Sequence, residues 1–257
     1  MQNLNTPCII NNRRNIHMKD NLLDLVEHTH DLGCIELIKI TGDANSTEVV
    51  GVGNDQSVVL DGKFLVPEKE FVGTFGMPNL GKLKILLNLD AYKENSTLTV
   101  THKATGEPDG IDFSNNSGDF KNNYRFMASG VVDAQVKTPK FRGATWHVSF
   151  VPTVVAIQRF RMQAQAHTEE TSFQVKTDNG NLVFSFGDHS THSGNFVFHT
   201  GVTGQLKRSW SYSIKTVMNI LSLTGDKTFS ISDDGCAQIT VDSGLATYNY
   251  ILLALTK

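Results

Sequence analysis

A five-residue pattern occurs twice in this chain of 257 residues, as WHVSF at Trp146 to Phe150 and WSYSI at Trp210 to Ile214, 64 positions apart. Both copies read Trp-x-apolar-Ser-apolar, and the same succession of hydrophobic periods follows each. A helical period comes first, over Thr153 to about Ala166 in one copy and Ser213 to about Leu223 in the other, where Ile214, Val217, Met218 and Leu221 gather on one side. Strand alternation comes next. TSFQVKTDNGNLVFSFGD turns at Asp178-Asn179-Gly180 and KTFSISDDGCAQITVDS at Asp233-Asp234-Gly235, where glycine accepts the positive φ that tight hairpins demand. A third strand, NFVFHTG or ATYNYILLALTK, completes each copy. A chain that repeats strand, helix and three strands at this interval is constrained to build itself from like units.

The N-terminal half keeps the same order. A helix near Lys19 to Thr29 precedes GCIELIKITG, STEVVGVGN and SVVLDGKFLVP; a second helix, LGKLKILLNL from Leu80 to Leu89, precedes STLTVTHK, DGIDFS and NNYRFMAS. Between the halves, GVVDAQVKTPKFRG shows no helical period and carries Gly130, Pro139 and Gly143, as a connector does. The expected organisation is therefore α+β: an N-terminal domain over residues 1–129, an interdomain connector over 130–143 and a C-terminal domain over 144–257, each domain holding two strand-helix-three-strand units. Three scattered cysteines, Cys8, Cys34 and Cys236, suggest neither a disulfide framework nor a cysteine-rich zinc site. No apolar run approaches the ~20 residues of a spanning helix, so a soluble, cytoplasmic protein is expected, in the host cytoplasm if the chain is viral.

Charge is distributed unevenly. The formal net charge is -3, yet VPTVVAIQRFRMQAQAHT, from Val151 to Thr168, contains no carboxylate. On a helical wheel Thr153, Ala156, Ile157, Phe160 and Ala164 share a packing face, and Gln158, Arg159, Arg161, Met162 and Gln165 oppose it. The helix near Ser213 offers Lys215, Asn219 and Ser222 away from its apolar side, and that near Leu80 offers Lys82, Lys84 and Asn88. One basic helix face is an ordinary solvated surface; three without acid in a net-acidic chain suit a sequence-blind phosphate binder, because Lys and Arg displace condensed counterions and missing carboxylates avoid repulsion. The first helix departs from this pattern, with Asp20, Asp24 and Glu27 facing outward beside Lys19 and with Arg13, Arg14 and His17 close by.

Enzymatic motifs are not evident. Asp188, His189, His192 and His199 cluster in FGDHSTHSGNFVFH, and Glu27, His28 and His30 in EHTH, but neither set has a second ligand pair at a recognised zinc spacing. No nucleophile elbow, phosphate-binding loop or dinucleotide fingerprint occurs, so neither a metal, a cofactor nor catalytic residues are expected.

Four such units in two similar domains, with basic helices and the apolar ending ATYNYILLALTK, resemble the DNA polymerase sliding clamps. The likeness is to the two-domain clamps of T4-type bacteriophages and, more remotely, to proliferating cell nuclear antigen (PCNA). It implies the DNA clamp fold, with helices on the inner face of a homotrimeric ring around double-stranded DNA and sheets outside, and a non-enzymatic processivity factor for a DNA polymerase. By that resemblance Lys82, Lys84, Arg159, Arg161 and Lys215 face DNA. Asn122 to Met127 would pair with Asn195 to His199 of a neighbouring subunit, placing Tyr124, Phe126, Phe196 and Phe198 at the interface. Short apolar peptides of the polymerase and clamp loader would dock between Val131 to Lys140 and Ile251 to Leu255, on Val131, Val132, Leu253 and Leu255. Two other classes fit the residues: a structural or capsid-associated phage protein with incidental basic helices, and a metal-dependent hydrolase working through His189 and His192.

Overall fold

Helices form where leucine or phenylalanine recurs every three or four residues, and strands where burial alternates. The computed structural model describes residues 7–137, 143–188, 190 and 192–255, and the side chains of its first helix from residue 17 onward. By its contacts the chain divides into two units, Met1–Asn54 with Gly62–Thr138, and Asp55–Asp61 with Pro139–Lys257. Among the described residues no helix is long and apolar enough to cross a membrane.

The first unit contains α1 (Pro7–Glu27), β1 (Leu37–Gly42), β2 (Thr47–Val52), the end of β3 (Val58–Phe64), β4 (Gly73–Pro78), α2 (Leu80–Asn88), β5 (Thr97–His102), β6 (Pro108–Ser114), β7 (Lys121–Arg125), β8 (Met127–Ala128) and α3 (Ser129–Gln135). Strands β8, β4, β1 and β2 lie side by side and antiparallel, with Ile40 opposite Val49 on one flank and Phe75 on the other. β5, β6 and β7 form a separate three-stranded sheet. Helix α1 packs on α2, and Leu22, Leu25 and Val26 are buried along with Leu80, Leu83 and Leu87, the spacing expected of one apolar stripe per helix. Phe75 and Phe126 stack with centroids 4.4 Å apart, and Phe71 meets both edge-on.

Three features depart from the sequence reading. Helix α1 begins at Pro7, well before Lys19. Strand β4, GTFGMP, has too little apolar alternation to announce itself. The segment taken as non-helical contains α3, a two-turn helix across Gly130 whose anchor is Val132. Gly76 on β4 makes room for that anchor, since a Cβ there would stand 2.9 Å from the Val132 Cγ2.

The second unit contains β9 (Val148–Phe150), α4 (Val154–Ala166), β10 (Ser172–Asp178), β11 (Asn181–Phe186) and β12 (Gly194–Thr200), then β13 (Trp210–Ser213), α5 (Ile214–Ser222), β14 (Asp226–Ile231), β15 (Cys236–Asp242) and β16 (Ala246–Leu253). The strand-helix-three-strand unit expected from the twin Trp motifs is thus formed twice. β16, β15, β14 and β9 run in that order, while β12, β11, β10 and β13 form a four-stranded sheet. Asp178 pairs with Asn181 across a two-residue turn in which Asn179 and Gly180 have φ of 49° and 76°. Positive φ at both central positions is what a type I′ turn requires.

Phenylalanines fill this unit. Phe160 of α4 lies 4.8 Å from Phe173 and 5.6 Å from Phe184, and Phe184 stacks on Phe198 at 4.2 Å. Removing the Phe160 ring leaves a cavity among rings that cannot all move at once, so Phe160→Ala should cost about 3–5 kcal/mol in equilibrium denaturant unfolding.

Candidate nucleic-acid interface

Helix α4 starts because Thr153, in extended backbone, accepts a hydrogen bond from the Ala156 N–H at 3.1 Å, and α5 because Ser213 accepts from the Thr216 N–H at 3.3 Å. Neither helix has an acidic residue in its first turn. Ala156 and Phe160 bury one side of α4, which leaves Gln158, Arg159, Arg161, Met162 and Gln165 exposed, the face expected from the wheel. α4 and α5 are neighbours, and Arg161 Nη2 donates to Ser222 Oγ at 3.1 Å. Among the described residues Arg159 and Arg161 make no ion pair.

Lys215 is exposed on α5. It has a partial counter-charge in Asp55, whose carboxyl lies below its usual range because the Ser57 hydroxyl donates to it at 2.7 Å, with the Lys215 charge a lesser contribution. In the first unit, Lys82 is exposed on α2 and, among the described residues, unpaired. Lys84 is different: its Nζ lies 2.6 Å from Asp31 Oδ1, so the expected phosphate-facing lysine is already neutralised by a residue 53 positions away. The acidic first helix is also internally engaged. Asp24 Oδ1 lies 3.3 Å from the buried His28, and Lys19 donates to the Tyr92 carbonyl. The side chains of Arg13 and Arg14 lie outside the described residues.

The strands expected at a subunit boundary, β7 and β12, are both outer strands of their sheets, but three of the four aromatic side chains assigned to that boundary point elsewhere. Tyr124 is buried and donates to the Pro78 carbonyl, Phe126 is buried on Phe75, and Phe198 is buried on Phe184; Phe196 is half-buried. Alternation explains the correction: on an outer strand the inward residues fill their own core, and the unpaired backbone with Lys121, Asn123, Arg125, Asn195 and Val197 faces out.

The expected peptide-docking residues separate in the same way. Val132 is buried and unavailable to a partner, whereas Val131 is exposed. Leu253 and Leu255 are 61% and 44% exposed, while Ile251 and Leu252 are buried. Residues 254 and 255 are tied down through the main chain, the Ala254 N–H to the Gly235 carbonyl at 2.7 Å and the Leu255 N–H to the Ser211 carbonyl at 2.8 Å. Residues 138–142 of the connector lie outside the described residues, as does His189. His192 is exposed, and among the described residues no group of three His, Cys, Asp or Glu side chains could hold a metal.

No protein-family model matches the chain, and no curated protein matches it. Solved structures do. A. fulgidus PCNA bound to the C-terminal region of FEN-1 superposes with a TM-score of 0.67 at 10% identity, over 91% of this chain and 96% of that one. PCNA from Thermococcus kodakaraensis gives 0.64 at 12% identity, over 92% and 97%. The chain has the DNA clamp fold. At this identity the likeness lies in the backbone, so the side chains that differentiate this clamp-fold protein are its own. The Asp31–Lys84 pair is one of them. Asp31→Asn should release Lys84 and steepen the salt dependence of duplex binding by roughly 0.9 in log–log slope, the increment for one further neutralised phosphate, as read by anisotropy of labelled DNA.

Proposed function

We propose that the protein is a sliding clamp, a closed ring that encircles duplex DNA without reading its sequence and tethers a replicative DNA polymerase to its template. The observation that carries this reading is the exposed, carboxylate-free face of α4 with Arg159 and Arg161, in a chain that superposes on a clamp-fold structure over 91% of its length. Lys82 and Lys215 extend the same chemistry to α2 and α5. Contacts of this kind hold phosphates at any sequence and let the protein slide.

Ring closure would come from two of the outer strands, β7 and β12. β7 of one copy adding to β12 of the next satisfies both rows of backbone groups and repeats head to tail, a heterologous contact that closes into a trimer when the rotation permits. The exposed Leu253 and Leu255 supply the apolar surface for peptides of the polymerase and of the ATPase that loads the ring; the clamp itself needs no catalytic residue.

Light scattering should give a mass near three times 28.3 kDa, with dissociation on dilution. Changing Arg159 and Arg161 together to Glu should leave the circular dichroism spectrum unaltered and lower polymerase stimulation on primed circular DNA by roughly tenfold at physiological salt. Stimulation equal to the unsubstituted protein would sink the assignment of this face to DNA.

A further inference from the structure

The exposed face of α4 is cationic only at its edges. At about 100° per residue, Arg159 and Arg161 fall about 160° apart, one at each side of the exposed arc. The arc between them is occupied by Val154, Val155 and Met162, which are 71%, 56% and 64% exposed, together with Gln158 and Gln165. Two stripes result: Val154-Gln158-Arg161-Gln165, and Val155-Arg159-Met162-Ala166, in which an apolar side chain flanks the arginine on either side. In the first unit α2 repeats the composition, with Ile85, 64% exposed, between exposed Lys82 and Asn88. Single exposed apolar residues are ordinary, but three on one arc between two arginines form a patch.

We propose that the apolar centre of the α4 arc is a contact surface for the deoxyribose edge of duplex DNA, with Arg159 and Arg161 holding phosphates on either side of it. The inference rests on the clamp reading of this same face. Charge complementarity selects the occupant: along α4 the patch is bordered by arginines and amides, the helix itself carries no carboxylate, and the deoxyribose carbons are the apolar part of a polyanion. Val154, Val155 and Met162 have no donor or acceptor to offer a base edge, so they add contact without adding sequence preference. Met162, unbranched and flexible, adapts to a contour that changes as the duplex moves past it. Burying apolar surface releases no condensed counterions, so this part of the affinity is independent of salt, unlike the arginine part.

The test is anisotropy of a fluorescent linear duplex titrated with the full-length protein over a series of salt concentrations. Val155→Gln/Met162→Gln should weaken binding about three- to tenfold at every salt concentration and leave the log–log slope unchanged. Arg159→Gln/Arg161→Gln should flatten the slope by roughly 1.8, about 0.9 for each phosphate that is no longer neutralised. Val155→Ile/Met162→Leu, which keeps the surface apolar, should bind as the parent does. Unchanged affinity in the Val155/Met162 glutamine variant beside a flattened slope in the arginine variant overturns the apolar contact and leaves the clamp reading standing. Parent-like behaviour of both variants removes DNA from this face altogether. A smaller or larger assembly mass for the Val155/Met162 variant assigns the patch to a protein contact and likewise overturns the proposal.

Discussion

Everything proposed for α4 depends on one packing contact, the Phe160 ring against Phe173, Phe184 and Phe198. Fixing one side of a helix against a sheet fixes the direction of every other side chain on it, because successive positions are separated by a constant rotation. With Phe160 inward, Arg159 and Arg161 have no choice but to lie on opposite edges of the solvent arc. The cationic surface is thus a by-product of hydrophobic packing. The Arg161–Ser222 bond then ties the exposed side of α4 to the end of α5.

The repeated unit could be read in the sequence because periodicity is a local signal. The helical stretches after Trp146 and Trp210, the two alternating runs on either side of Asn179-Gly180, and the leucines of α2 all declare themselves within a window of a dozen residues. What the sequence conceals depends on longer separations. The Lys84–Asp31 pair joins residues 53 positions apart, and α3 is stabilised by Val132 settling on a glycine of a different element. Neither leaves a local trace. The aromatic residues of β7 and β12, with Phe126 directly after β7, depart from expectation for a different reason: belonging to an outer strand says where the backbone stands, while parity along the chain says where a side chain goes, and Tyr124, Phe126 and Phe198 have inward parity.

The first helix shows how charge counted along a sequence misleads about charge on a surface. Asp24 is engaged by a buried histidine and Lys19 by a main-chain carbonyl, so two of the residues that look like a mixed outer face have structural partners, while Asp20 stays exposed. Conversely α2 loses half of its apparent positive charge to Asp31. Net surface charge on these helices is lower than their composition suggests, and the cations that remain exposed, Arg159, Arg161, Lys82 and Lys215, are spaced by amides and apolar groups. Helix faces of that kind hold a polyanion loosely, which suits the ring proposed above, where enclosure would supply the retention on DNA.

Residues 254 and 255 are held by their main-chain N–H groups on the carbonyls of Gly235 and Ser211, while the side chains of Leu253 and Leu255 are exposed. Main-chain bonds are indifferent to the residue that makes them. Selection for folding therefore has little grip on these two positions, and whatever identity they hold is free to drift with the surface they meet. If the proposed peptide docking takes place on these two leucines, that surface can change its partners over evolutionary time without the rest of the protein having to change with it.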